Sequence, residues 1–319
     1  MAEYFVTGGC GFIGSHLCEA LLQRGDRVRV LDDLSTGSRA NLPGGAAFTQ
    51  ADIRDAVAVR AALAGCDGCF HLAAIASVER SRLEWVESHS VNLSATIQLF
   101  DIARRSGPGG HAVPVVYASS AAVYGDQGKA AASEASPPAP VSAYGADKLG
   151  CEHHARVAAL VHGVPTLGLR FFNVYGPGQP LGSPYSGVIS IFCDRLANGL
   201  PLTIFGDGEQ TRDFLYVADA VSALTAAMDR IAPEPDVLNV CTGRSTSVLK
   251  LAGMLAGLFG RDLRLAHEPA RQGEIRHSLG DPSRARQRLG FAAATPIERG
   301  LALTVEAIVP AAGPDRRSG

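Results

Sequence analysis

The chain has 319 residues, 46% of them hydrophobic, and 29 lysines and arginines against 31 aspartates and glutamates leave a net charge of −2. That length can bury a large core, as one big domain or two closely joined ones. Balanced charge argues against nucleic acid as a general partner and against a basic membrane-binding face, and no apolar run approaches the ~18 residues of a spanning helix.

The chain enters a strand pattern almost at once, with no basic segment and long apolar run of a secretion signal, so a cytoplasmic location is expected. The first strand, Tyr4–Thr7, leads into Gly8-x-x-Gly11-x-x-Gly14 and an amphipathic helix over Ser15–Arg24. Glycines at that spacing let the chain turn tightly and let a helix N-terminus approach a pyrophosphate with no side chain between them. A second strand, Arg27–Leu31, ends at Asp32. Strand, glycine turn, helix and closing acid together mark a dinucleotide site, which the glycines alone would not. A carboxylate at Asp32 accepts hydrogen bonds from ribose hydroxyls and repels the 2′-phosphate of NADP; Asp33 adds to that repulsion, so NAD is the expected cofactor. Arg39 points the other way, since an arginine there can meet a phosphate, but a surface arginine is the favoured reading. A third strand, Ala47–Gln50, brings Asp52 and Ile53 to where an adenine would lie.

A helix over Asp55–Ala64, a strand at Cys69–Ala73, a helix over Val91–Ser106 and a strand at Val113–Ser119 continue the alternation. The fold class expected is α/β, a Rossmann-type doubly wound parallel sheet with helices on both faces. The seven cysteines are scattered and odd in number, as in proteins that keep their thiols reduced. Cys66-x-x-Cys69 is read as ordinary thiols: Cys69 opens a strand rather than a helix, and no second pair completes a metal site. No metal is expected.

A Pro/Ala/Ser-rich loop, Gln127–Ser142, precedes a helix over Tyr144–His162. Tyr144-x-x-x-Lys148 puts both side chains on one helix face, one turn apart. The spacing alone means little; its place after the strand ending Val116–Ser120 gives it weight. A nearby ammonium and a positive nicotinamide both favour the phenolate over the phenol. Ser120 by itself reads as a strand-end hydroxyl capping the backbone; beside Tyr144 and Lys148 it reads as a partner for the substrate oxygen. After Arg170 the texture changes. Gly176–Ser186 is a Gly- and Pro-rich loop, and the mixed helices and short strands beyond it suggest a smaller mixed α/β lobe over the sheet's carboxyl edge. Residues 1–172 are assigned to the dinucleotide domain, with about 212–240 returning to it. Residues 173–310 are assigned mainly to the substrate lobe, and 311–319 to a disordered tail.

Together these segments resemble the extended short-chain dehydrogenase/reductase family of NAD-dependent epimerases and dehydratases, and within it the UDP-hexose 4-epimerases. The resemblance covers about residues 3–300. It rests on TGGCGFIGSH (7–16), DDLSTG (32–37), HLAA (71–74), Asn92, SSAAVYG (119–125), YGADK (144–148), RFFNVYGPGQ (170–179), FGDGEQTRDFLYV (205–217) and RQGEIRHS (271–278). It implies NAD contacts from Gly8, Gly11, Phe12, Ile13, Gly14, Asp32, Asp33, Ser35, Asp52, Ile53, Leu72, Ala73, Ala74, Asn92, Tyr144, Lys148 and Phe171. It implies UDP-sugar contacts from Ser77, Ser120, Asn173, Val188, Ile204, Arg212, Arg271, Glu274 and Ser278. In such epimerases NAD stays bound. The tyrosine takes the proton of the sugar 4-hydroxyl as hydride leaves C4, the ketose turns in the pocket, and hydride returns to its other face. By that resemblance Tyr144 is the base, Lys148 its activator and nicotinamide-ribose ligand, and Ser120 the hydrogen-bonding partner. The residue types agree, since arginines grip a diphosphate and an acid accepts from ribose hydroxyls. Taken alone, Arg212 reads as a surface salt bridge with Asp213.

Missing groups prune the relatives. The 4,6-dehydratases carry Thr-Asp-Glu where this chain has Ser120-Ala121-Ala122, and without that acid/base pair a water elimination has no evident catalyst. Enzymes of UDP-glucuronate need a cation for the sugar carboxylate; residues 176–193 hold no Lys or Arg, which disfavours a uronate unless another segment supplies the charge. A net oxidoreductase or a decarboxylase on a sugar nucleotide is the alternative enzyme. A non-catalytic NAD sensor is weaker, because Ser120, Tyr144 and Lys148 are all present. At Ser278, relatives restricted to UDP-glucose and UDP-galactose carry a bulky tyrosine. A serine leaves room for an N-acetyl group at C2, unless neighbours refill the space. HLAAIASVERS (71–81) also resembles the epimerases that accept N-acetylhexosamines. Asp147 is expected to face solvent, since facing the site it would oppose the phenolate. The resemblance further implies a homodimer through a four-helix bundle of the Val91–Ser106 and Tyr144–His162 helices.

Overall fold

Glu3–Thr7 forms strand β1, and its side chains divide between two cores: Tyr4 and Val6 enter one, Phe5 the other. A strand's period of two requires this when both faces are covered. The computed structural model of the chain describes residues 1–181, 187–270 and 275–309. After β1 come α1 (Phe12–Gln23), β2 (Arg27–Asp32), β3 (Ala47–Gln50), α2 (Ala56–Leu63), β4 (Gly68–His71), α3 (Val78–Leu83) and α4 (Trp85–His89). A π-helical turn (Ser90–Ser94), α5 (Ala95–Ala103), β5 (Val115–Ser120), α6 (Ala143–His162) and β6 (Thr166–Phe171) follow. The second half holds β7 (Asn173–Tyr175), α7 (Val188–Ala197), β8 (Leu202–Phe205), β9 (Thr211–Tyr216), α8 (Val217–Asp229) and β10 (Asp236–Val240). It ends with β11 (Ser245–Ser247), α9 (Val248–Leu258), β12 (Leu265–Glu268), β13 (His277–Ser278), α10 (Ser283–Leu289) and α11 (Ile297–Ile308).

Seven strands pair in parallel in the order β10-β6-β5-β4-β1-β2-β3. The chain moves outward from β1 through β2 and β3, then returns to β4 on β1's other side. Ligands of such sheets bind in the crevice beyond the carboxyl ends of the strands that flank this reversal. One core, with Leu17, Leu21, Val30, Val116, Leu224 and Met228, seats α1 and α8 on one face. The other, with Leu31, Leu63, Leu99, Phe100, Tyr117 and Ala155, seats α2, α5 and α6 on the opposite face.

The smaller lobe has a four-stranded sheet in which β9 pairs with β7, β11 and β13, and a two-stranded sheet of β8 and β12. Phe192, Leu202, Ile204, Phe214, Leu251, Leu255 and Leu301 share its core. The lobe is not one continuous stretch of chain. β9 stays in it, whereas α8 packs on the large sheet and β10 pairs with β6, so the return begins at Val217. No helix among the described residues is long and apolar enough to cross a membrane. All seven cysteines are free and buried. Burial pushes the Cys66 thiol up to about 11 and the Cys69 thiol well above its ordinary value, which leaves both as inert thiols. The tail from Ala311 lies outside the described residues.

Candidate active site at the carboxyl edge of the sheet

β1 delivers the glycine turn to the crevice. Gly8 has a φ of +71°, and a Cβ there would lie 2.8 Å from the backbone nitrogen of Ala73, so glycine alone fits without strain. α1 begins at Phe12 after Gly11, with no side chain bonding its first amides. The first-turn amides at Phe12, Ile13 and Gly14 lack helical partners and carry the positive end of the helix dipole, which is what a pyrophosphate takes. Asp32 is buried at the end of β2 and accepts from the amides of Cys10 at 2.9 Å and Leu34 at 2.8 Å. A carboxylate offers about four acceptor sites, so Asp32 is fixed in place and keeps capacity for ribose hydroxyls. Asp33 is exposed and accepts from the amide of Ser35 at 2.9 Å. Arg39 is exposed too, its guanidinium 4.9 Å from the centroid of the Phe48 ring. Hydrogen bonds from Arg54 clamp Asp52 and hold it below the ordinary carboxylate range. Ile53 is buried in the second core. Uncapped amides, a glycine cradle that a Cβ would fill and a fixed carboxylate suit NAD.

Beneath the turn runs a buried chain of hydrogen bonds that sequence reasoning missed. The amides of Leu72 and Ala73 each donate to Thr7 Oγ1 at 3.1 Å. Thr7 Oγ1 lies 2.8 Å from His71 Nδ1, and His71 Nε2 lies 2.8 Å from Thr96 Oγ1. Thr96 donates to the carbonyl of Asn92 at 2.7 Å. Proton positions follow from this order. Thr96 commits its hydrogen to a carbonyl, so it accepts from His71 Nε2, and His71 Nδ1 accepts from the Thr7 hydroxyl. The chain needs a neutral imidazole, and burial, aided by the Lys148 charge, pushes His71 down to about 3. The available signal was a lone histidine at the end of the apolar strand before Leu72. Asn92 belongs to the same knot, accepting from Ile75 N at 2.8 Å and donating to Ile75 O at 3.2 Å. Both ends of its amide hold the loop after β4. Ser77, expected at the substrate, caps α3 by accepting from Arg80 N at 3.0 Å.

β5 and α6 bring the reacting groups together. Alternation along β5 turns Ser119 into the core, where it donates to Glu152 at 2.5 Å, and leaves Ser120 on the opposite side. Ser120 Oγ accepts from the amide of Ala122 at 3.1 Å, and its own hydrogen remains for a substrate oxygen. Ser142 caps α6 by accepting from Gly145 N at 3.1 Å. A Cβ on Gly145 would sit 2.5 Å from the carbonyl oxygen of Ala122, so the helix starts directly on the turn after Ser120. Lys148 is buried, its Nζ donating to the Ala118 carbonyl at 2.9 Å and lying 5.8 Å from the Tyr144 ring centroid. An ammonium has further donors for a phenol oxygen and a ribose. Asp147 does not face solvent. It is 4% exposed; its Oδ1 accepts from His89 Nδ1 at 2.8 Å, and its Oδ2 is buried without a hydrogen-bond partner. One residue is a rotation of about 100° around a helix, so Lys148 faces β5 while Asp147 meets α4. Behind them, Arg170 bonds both oxygens of Glu152 (2.8 and 2.6 Å) and the hydroxyl of Tyr124 (2.8 Å), tying α6 to β6.

The other side of the crevice is made by the smaller lobe. Asn173 opens β7 and donates to the carbonyl of Asp213 at 3.1 Å. Arg212 lies in β9, with Nη1 donating to the Thr211 carbonyl at 2.9 Å, and Ser278 is its register partner in β13. The Asp213 carboxylate is not on Arg212's side of the strand. It is buried and accepts from Thr242 N, Thr242 Oγ1 and Gly243 N, while burial raises it above the ordinary carboxylate range. Neighbours on a strand face opposite ways, which removes the surface pair. Val188 starts α7 and is half-buried. Ile204 is wholly buried in the lobe's core, so it offers a ligand no side-chain surface, contrary to expectation. Phe171, at the end of β6, is buried in the first core of the large sheet. Arg271 and Glu274 lie outside the described residues.

The sequence profile of the NAD dependent epimerase/dehydratase family matches residues 4–241. The UDP-glucose 4-epimerase of Mycolicibacterium smegmatis is 36% identical over 309 residues, covering 94% of this chain and 96% of that protein. The solved structure of a UDP-glucose 4-epimerase from Thermotoga maritima, with UDP-glucose, superposes with a TM-score of 0.91 at 35% identity, covering 96% of this chain and 98% of that one. A UDP-N-acetylglucosamine 4-epimerase from Methanobrevibacter ruminantium, in complex with UDP-N-acetylmuramic acid, gives a TM-score of 0.90 at 33% identity, with 96% and 98% covered.

Proposed function

The chain belongs to the NAD-dependent epimerase/dehydratase family, and we propose that it is a UDP-hexose 4-epimerase that keeps NAD bound throughout its cycle. In this reading it interconverts UDP-glucose with UDP-galactose, and UDP-GlcNAc with UDP-GalNAc. One observation carries the proposal: Lys148, buried one turn along α6 from Tyr144, donates to the carbonyl of Ala118 in β5, two residues before Ser120, and alanines occupy positions 121 and 122. NAD supplies the hydride acceptor and its return. Tyr144 takes the proton of the sugar 4-hydroxyl and later gives it back, Lys148 holds its charge beside the phenol, and Ser120 donates to the same substrate oxygen. Removal and return of one proton need one base. Elimination of water needs a further acid, which Ala121 and Ala122 do not provide. Arg212 grips the diphosphate, with Arg271 and Glu274 completing the clamp. Ser278, in register with Arg212, leaves free the volume a tyrosine would take, which supports acceptance of a C2 N-acetyl group.

The same reading gives a homodimer joined through α5 and α6 of each copy. Val157, Leu160 and Val161 stand exposed on α6 and support it; light scattering on the eluted peak should return twice the chain mass. The deciding experiment incubates the purified enzyme, without added NAD, with UDP-glucose, UDP-GlcNAc or UDP-glucuronate and resolves the products. UDP-galactose from UDP-glucose is expected. Conversion of UDP-glucuronate alone, or of none of the three, would overturn the proposal, and absence of UDP-GalNAc would remove its N-acetyl half.

A further inference from the structure

α1 does more than present its amino end. One turn after Phe12 it carries His16, half-buried, whose ring meets that of Phe12 edge-on with centroids 5.9 Å apart. His16 Nε2 lies 2.8 Å from the carbonyl oxygen of Pro177, 161 residues away in the chain. A carbonyl only accepts, so Nε2 carries the hydrogen and donates it. The helix offering this bond is the one whose first amides face the pyrophosphate. The loop receiving it follows β7 and leads from Asn173 toward Val188, both assigned above to the sugar nucleotide. Proline has no amide hydrogen, so the carbonyl is the one polar backbone group Pro177 can offer. On its other flank the loop is pressed against α8, where a Cβ on Gly176 would come within 2.6 Å of Val217 Cγ1. Gly176 and Pro177 are thus held from two sides, and on the α1 side His16 supplies the polar contact.

We propose that His16 is a positioning residue that couples the two ligand sites: through Pro177 it sets the sugar-nucleotide loop relative to the dinucleotide turn. The inference rests on the epimerase reading above and adds to it a link between the sites. Coupling of this kind is reciprocal in affinity, so a link that lets bound NAD favour UDP lets UDP tighten the hold on NAD, read as a slower NAD release that depends on His16. A bond that merely stiffened the fold would lower thermal stability and leave that exchange of influence intact.

The test uses purified holoenzyme and follows NAD release after dilution, with and without saturating UDP, alongside steady-state kinetics. In the unaltered enzyme UDP slows NAD release. His16→Leu loses most of that slowing, and its KM for the UDP-sugar rises about three- to tenfold, the range of one net hydrogen bond. Its kcat stays within about twofold, as expected when binding rather than chemistry is touched. His16→Gln, whose Nε2 reaches the same carbonyl, restores both values, whereas the shorter His16→Asn behaves like leucine. Unaltered KM and UDP effect in His16→Leu would overturn the proposal, as would equal impairment by leucine and glutamine. If UDP binds the unaltered enzyme calorimetrically but leaves NAD release unchanged, the coupling falls and the epimerase reading stands. If UDP does not bind at all, both fall.

Discussion

The two walls of the crevice are built from different materials. In the proposed reading the ligand meets mostly backbone on the dinucleotide wall: the Gly8 turn, the open amides of α1 and one carboxylate held by two amides. On the sugar-nucleotide wall it meets side chains gathered from β7, β9 and β13, strands brought together only by tertiary pairing. A backbone wall is fixed by the local conformation of residues 7 to 32 and resists change by substitution. A side-chain wall can be rewritten one residue at a time without disturbing the sheet. The seat for a pyrophosphate is therefore rigid in this architecture, whereas substrate choice, like the choice between NAD and NADP that rests on the Asp32 side chain, is adjustable.

The sharpest way to separate the two walls is Tyr144→Phe, which removes the base and leaves both walls standing. Turnover should fall by about 10²- to 10⁴-fold while NAD content, measured after denaturing release, stays stoichiometric. Loss of NAD together with activity would instead make Tyr144 part of the cofactor wall. Gly8→Ala attacks the backbone wall. It forces a Cβ into a left-handed turn against Ala73 and should cost about 1–3 kcal/mol of stability, with NAD lost on purification; an unchanged denaturation midpoint would show that the turn adapts. Arg212→Lys keeps the charge and discards the planar fork, so KM for the UDP-sugar should rise on the order of tenfold at constant NAD content. A fall in NAD content would break the division between walls.

The remaining effect concerns the knot under the cofactor wall. An unfolded histidine takes up a proton near pH 6.5, whereas His71 in its buried place resists until about 3. Its folded value is depressed, so its contribution to stability is complete above pH 6.5 and is lost as pH falls from there toward 3, at about 1.4 kcal/mol per pH unit for one proton. Denaturant titrations between about pH 6 and pH 4 should show a flatter decline for His71→Gln than for the unaltered chain. Equal slopes would mean the imidazole is not the neutral link.

Legibility in the sequence followed the same division. The glycine turn and Asp32 form one continuous pattern, and Tyr144 and Lys148 sit one helical turn apart in the helix that follows the strand ending at Ser120, so spacing and element order together were enough to single them out. His71 gave no such signal, because it meets Thr7 only when β1 pairs with β4 and meets Thr96 only when α5 packs on the sheet. Asp147 was misjudged for a related reason. Helical spacing says which residues share a face, but not which neighbouring helix covers it, and α4 covers that of Asp147. Ile204 is apolar inside a ligand-binding motif, and only its strand's alternation against the lobe's core shows that it points inward. The surface pairing with Asp213 that Arg212 taken alone suggests was open to correction from the sequence, since adjacent residues of a strand do not share a side.

The discontinuity of the smaller lobe has a consequence for biosynthesis. β6 finds its outer partner only in β10, so from Phe171 to Asp236 the emerging chain makes lobe strands and then α8 while the main sheet ends in β6. At about 5–20 residues per second that interval is roughly 3 to 13 s of ribosome time. An open parallel edge is a template for any other extended chain. The ribosome-bound intermediate ending shortly before β10 is therefore a form of this protein in need of a chaperone.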